Sequence, residues 1–92
     1  MSKLFNVTII SKSLEKLEYK ALLLNIKTPN GKIGIMANRD PLVSILNPSI
    51  IEIVQDTKRI KIKIDDGFIS FNNDATILVS NYEKISGNEN DW

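Results

Sequence analysis

Turn-forming residues punctuate this chain at short intervals: Pro29-Asn30-Gly31, Asn38 to Pro41, Asn47-Pro48, Asp56-Thr57, Asp65 to Gly67 and Asn72 to Asp74. Each interval leaves room for a short apolar-rich run. That pattern predicts an all-β sandwich or barrel, because helical and alternating α/β domains need longer uninterrupted segments. The clearest run is Arg59 to Asp65, where Ile60, Ile62 and Ile64 alternate with Lys61, Lys63 and Asp65. Successive strand residues point to opposite faces, so the isoleucines share a buried face and the charged residues a wet one.

Other runs follow the same logic. Ser49 to Gln55 precedes this strand, and the two-residue link Asp56-Thr57 predicts a tight hairpin between them. Leu22, Leu24 and Ile26 share a face, and Asn30-Gly31 tolerates the positive φ angles of a hairpin turn leading into Ile33 to Met36. Phe5, Val7 and Ile9, then Phe68 to Phe71 and Ala75 to Ser80, add further strands, giving eight or more. One segment reads differently. Across Ser13 to Leu23, residues Leu14, Leu17, Ala21 and Leu22 fall near helical spacing, with Ser11 or Ser13 available as an N-cap, so propensity alone predicts a helix. Residues 86–92 are polar, which predicts a globular domain over 1–85 and a flexible tail.

The chemistry open to the chain is narrow. Its 92 residues contain neither Cys nor His, which removes disulfides, thiolate chemistry and the commonest proton-transfer and zinc-binding side chain. Serines therefore lack a histidine to activate them, and no phosphate-cradling glycine motif is present. Asp65, Asp66 and Asp74 could converge as acid and base or as ligands for a hard cation, but all three stand at turn positions, where Asp commonly bonds to nearby backbone amides. No catalysis, cofactor or metal is expected. Twelve Lys and Arg against eleven Asp and Glu leave a net charge of +1, too little for a global field, so partner recognition must be local. Lys58, Arg59, Lys61 and Lys63 are the strongest basic feature and offer a groove for RNA or single-stranded DNA; without interleaved aromatic platforms, a solvated strand face is the favoured reading. Trp92 ends the chain as either a docking residue or part of a loose terminus. The amino terminus lacks signal-peptide order and no apolar run approaches the roughly 20 residues of a bilayer span, so a soluble cytoplasmic protein is expected.

One segment carries more specific information. Gly31-Lys32-Ile33-Gly34-Ile35-Met36-Ala37-Asn38-Arg39-Asp40-Pro41-Leu42 describes a tight backbone path followed by a polar loop closed by proline. It resembles the ε subunit of F-type ATP synthases, whose corresponding stretch reads approximately Gly-acidic-x-Gly-(Ile/Val)-x-Pro-Gly-His-(Ala/Ser)-Pro-Leu; Gly31, Gly34, Ile35, Pro41 and Leu42 match. Asn47-Pro48-Ser49 stands at the family's later turn, with Ile50-Ile51-Glu52-Ile53 as the next strand. Asp66-Gly67-Phe68-Ile69-Ser70-Phe71 and Ala75-Thr76-Ile77-Leu78 resemble its later Gly-Gly and Val-Thr strands. The order and spacing agree over residues 3–85.

The resemblance implies a flattened sandwich of about ten strands and recasts Glu15 to Tyr19 as a strand. It implies a non-catalytic rotor subunit of the central stalk, peripheral at the cytoplasmic face of the cell membrane, binding the γ subunit and coupling it to the c-ring within a complex that contains the α and β subunits. By resemblance, Ser11 and Arg39 would contact γ, and Gly31, Lys32 and Gly34 would meet the c-ring or its replacement. Three departures matter. The helical hairpin that usually follows the sandwich has no counterpart before residue 92, so it is naturally absent or removed. Ala37-Asn38-Arg39-Asp40 replaces Pro-Gly-His-(Ala/Ser), and Lys32 stands where the family is acidic. A lysine there repels a basic ring loop, a swing of ~1 kcal/mol per exposed pair. Two readings remain within the family: a short ε subunit of an ordinary synthase whose ring has compensating charges, or an ε-like rotor subunit of an F-type-derived motor without a c-ring. A nucleic-acid-binding β-barrel is the alternative outside it.

Overall fold

The computed structural model describes residues 3–86, and among them the regular elements are ten strands: β1 (Phe5–Ser11), β2 (Lys16–Ala21), β3 (Leu23–Thr28), β4 (Gly31–Ile35), β5 (Leu42–Leu46), β6 (Ser49–Val54), β7 (Arg59–Ile64), β8 (Gly67–Asn72), β9 (Asp74–Val79) and β10 (Tyr82–Ser86). They form two five-stranded sheets, in the orders β2-β1-β9-β8-β5 and β10-β7-β6-β3-β4. β1 and β9 run parallel, and the other paired strands are antiparallel. The expected ten-strand sandwich is the observed one.

Alternation builds the core. Phe5, Val7, Ile9, Ile69, Phe71, Ala75, Ile77 and Val79 come from the first sheet, and Leu24, Ile26, Ile35, Ile51, Ile53, Ile60, Ile62 and Ile64 from the second; all are buried. Each fully buried aliphatic side chain of this size contributes about 1.5–3 kcal/mol of transfer free energy, and interdigitation of two inner faces is how a sandwich of this kind is held. Phe5 and Phe71 meet edge to face with centroids 5.5 Å apart, within the preferred aromatic geometry.

Two local expectations are corrected. The helix predicted by propensity across Ser13 to Leu23 is absent; Lys16 to Ala21 is strand β2, paired with β1 from Phe5↔Ala21 to Ile10↔Lys16. Leu17, Tyr19 and Ala21 turn inward while Lys16, Glu18 and Lys20 stay exposed, so period-two patterning and a waiting partner strand override helical propensity. At the β3–β4 hairpin the pair Thr28↔Gly31 leaves Pro29 and Asn30 as the connecting residues, with the positive φ confined to Gly31, at 121°. The Thr28 hydroxyl organises this turn, donating to the Gly31 carbonyl at 3.0 Å and accepting from the Asn30 N–H at 3.2 Å. The expected β6–β7 hairpin is present, with the Gln55 N–H donating to the Lys58 carbonyl at 2.8 Å across Asp56-Thr57. β10 extends to Ser86, one residue past the expected domain end; the tail and Trp92 lie outside the described residues.

Candidate partner-binding surface

The outward face of the first sheet is graded from apolar to polar. Strand register places Ile10 beside Leu78, Leu78 beside Phe68 and Phe68 beside Ile45, so one side chain from each of four adjacent strands forms a continuous row. With strands about 4.8 Å apart, this row is roughly 15 Å long. Ile45, Phe68 and Leu78 are 63%, 47% and 37% exposed, which separates them from the core. The adjoining row is Thr8, Thr76, Ser70 and Val43, and beyond it lie Asn6, Asp74 and Asn72. An apolar band bordered by hydroxyl and amide side chains marks a surface built for contact, because a solvated strand face would carry polar groups throughout.

Sequence reasoning missed this band. Its members lie on four different strands, and only the register brings them together. The available signal was a failure of alternation, as at Ile9-Ile10 and Ile77-Leu78-Val79, where consecutive apolar residues must face both sides of a sheet.

Ser11 borders the hollow beside this band, but its side chain is 4% exposed and its hydroxyl bonds to that of Ser13 at 2.8 Å. Its neighbours Lys12 and Leu14 are exposed. Arg39 lies elsewhere. Ser11 is level with Val79, Gly67 and Leu46, whereas Arg39 sits in the connector before Leu42, at the far end of β5. Its N–H donates to the Met36 carbonyl at 3.1 Å, closing a turn that carries the chain between the edges of the two sheets. Ser11 and Arg39 are thus separate points on the sandwich.

Gly31, Lys32 and Gly34 occupy β4, an edge of the second sheet, in a third location. Lys32 is directly opposite Lys27 on β3, and both are exposed. Like charges in that relation repel, and nothing on the hairpin offsets them. Gly34 makes room for Asn25: an added Cβ would approach its Oδ1 to 3.2 Å, crowding the amide that donates to Glu52 at 2.8 Å.

The solvated face expected of the basic strand is wet only in part, and the alternative reading of it as a groove loses Lys61 as well. Lys61 is 4% exposed and stands opposite the buried Glu52, so only Lys58, Arg59 and Lys63 remain on the surface. The three aspartates stand at strand junctions, but their bonds reach other elements rather than nearby backbone amides. Asp66 accepts from the Ser80 hydroxyl at 3.1 Å, Asp74 accepts the Asn6 N–H at 2.8 Å, and the Asp65 N–H donates to the Asn81 carbonyl at 3.1 Å. Among the described residues no cluster of three or more His, Cys, Asp or Glu could hold a metal, and no helix is long and apolar enough to cross a membrane.

Topology and surface together define a two-sheet β-sandwich with an apolar band across one outer face. The family described as ATP synthase, Delta/Epsilon chain, beta-sandwich domain matches residues 4–85, and the chain belongs to it. The ATP synthase epsilon chain of Lactiplantibacillus plantarum is 30% identical over 87 residues, covering 90% of this chain and 61% of that protein. The mitochondrial ATP synthase subunit delta of Eremothecium gossypii is 30% identical over 60 residues, 65% of this chain and 38% of that one. The fold is shared with chains of the mitochondrial ATP synthases of Euglena gracilis (TM-score 0.81, 21% identity, 88% of this chain and 53% of the other) and Tetrahymena thermophila (TM-score 0.72, 17% identity, 89% and 67%).

Proposed function

We propose that this chain is a non-catalytic rotor subunit in the central stalk of an F-type ATP synthase or ATPase, and that it grips the γ subunit through the apolar band of the first sheet. The observation that carries this reading is the continuous row Ile10, Leu78, Phe68 and Ile45, an exposed apolar surface on a domain of the right family. A subunit that transmits torque needs a rigid body and a firm contact but no reactive groups, and a sandwich sealed on both inner faces supplies the first requirement. The β3–β4 hairpin, carrying Gly31, Lys32 and Gly34, is the contact with the c-ring or its replacement, and Arg39 is a second contact with γ. The α and β subunits share the complex, within which the chain sits peripherally at the cytoplasmic face of the cell membrane.

The opposed Lys27 and Lys32 favour a partner loop bearing carboxylates at the hairpin. Either a c-ring with acidic loops or a different protein in the ring's place, as in a motor without a c-ring, meets that requirement. Titration of the chain with the purified γ subunit of its source organism tests the main contact. The wild type is expected to form a 1:1 complex and Ile45→Asp to weaken it about 100-fold; absence of a complex with the wild-type chain refutes the reading.

A further inference from the structure

The β1–β2 connection holds a conformational cost that the isolated domain does not use. The Ser11 N–H donates to the Glu15 carbonyl at 3.0 Å and the Leu14 N–H to the Ser11 carbonyl at 2.8 Å, closing a three-residue loop of Lys12, Ser13 and Leu14. Its third residue lies in the left-handed region, with Leu14 at φ 69°. Glycine is the usual occupant of that position in a three-residue hairpin, because a Cβ is strained there. Leu14 adds a second penalty, since its side chain is 82% exposed. Core packing therefore gives no reason for a leucine. Backbone strain at a well-bonded turn, carried by an exposed apolar side chain, points to a use outside the domain.

The surroundings indicate what that use is. Leu14 lines the same shallow hollow as Ile10, Ile45, Phe68 and Leu78, and so extends the apolar band at its β1 end. Lys12 and Lys16 flank that end and are exposed; Lys16 pairs with Glu18 at 3.2 Å, while Lys12 lies in no ion pair among the described residues. We propose that Leu14 is an affinity-determining knob of the γ-binding surface, seating against an apolar stripe of γ that ends in a carboxylate facing Lys12. This rests on the band being the γ contact. The strained turn fixes the knob's direction before binding, so less ordering entropy is lost when the complex forms.

Leu14→Gly and Leu14→Asn both suit the left-handed backbone, so both variants are expected to fold. Calorimetric titration with the purified γ subunit should show a Kd raised about tenfold or more in each variant, a loss of at least ~1.4 kcal/mol by the standard conversion. The Tm of the free Leu14→Gly protein should rise by several degrees as strain is relieved. Lys12→Glu should weaken binding most at low salt. Leu14 variants that bind γ as tightly as the wild type overturn the proposal while leaving the band as the γ contact. A wild-type chain that fails to bind γ removes the reading beneath it.

Discussion

Glu52 on β6 stands directly opposite Lys61 on β7, and both side chains are buried on the outward face of the second sheet. Glu52 is tied on both oxygens, accepting from the Asn25 amide at 2.8 Å and the Arg59 guanidinium at 3.4 Å. A buried charge deprived of its counter-charge is costly, whereas replacing both members with apolar residues is often nearly neutral. Glu52→Met is therefore expected to lose about 3 kcal/mol of stability. In a double-mutant cycle by urea denaturation, Lys61→Met should recover at least about 1 kcal/mol of that loss. Strictly additive effects would show that the two residues do not sense each other.

Two glycines on sheet edges and turns should fail for different reasons. A Cβ at Gly67 would collide with the Leu78 carbonyl and lie 2.9 Å from Val79 Cα, so β8 and β9 must separate to admit it. Gly67→Ala is expected to cost more than about 2 kcal/mol, in the range of overpacking a close contact. A Cβ at Gly31 meets nothing within 4 Å, but φ is 121° there, so Gly31→Ala should lose about 1 kcal/mol through backbone strain alone. Thermal melts of the two variants check the ranking.

Phe68→Asp and Ile45→Asp probe the band without touching the core, because both side chains are substantially exposed in the free domain. Each should leave the melting temperature within about 3 °C of wild type, since exposed substitutions usually change stability by less than 0.5 kcal/mol. Each should also weaken γ binding by about 100-fold, the loss typical of a hot-spot residue. Calorimetry on the same samples reads both quantities.

Lys32→Glu converts the like-charged pair with Lys27 into an attractive one. Stability is expected to rise by about 0.3–0.5 kcal/mol, the scale of an exposed cross-strand pair. If the hairpin's partner is acidic, the same change should slow association several-fold at low salt and have little effect at high salt. Stopped-flow association against the isolated hairpin partner measures this.

How far the chain declares its structure depends on where the information lies. Ile60, Ile62 and Ile64 announce a half-buried strand within six residues, and Asp56-Thr57 announces its turn, because both are local patterns. Residues 14–21 are ambiguous by themselves: Leu14, Leu17 and Ala21 suit a helix, while Leu17, Tyr19 and Ala21 suit a strand, and pairing with β1 decides between them. Leu14, counted as part of an apolar helix face, is instead one of the most exposed hydrophobic residues. Lys61 repeats the charged alternation of β7 yet is buried, since alternation says which way a side chain points and not what lies above it. The apolar band was the least legible feature, being a product of register among four strands.

The central claim is membership of a rotary ATPase rotor, and the most direct measurement is the composition of the native complex. The chain should be tagged at its carboxyl end, the assembly purified from the source cells, and its subunits identified by mass spectrometry. The account predicts stoichiometric γ together with the catalytic α and β subunits, accompanied by a c-ring or by a different protein in its place. A stable assembly containing no ATPase subunits would contradict it.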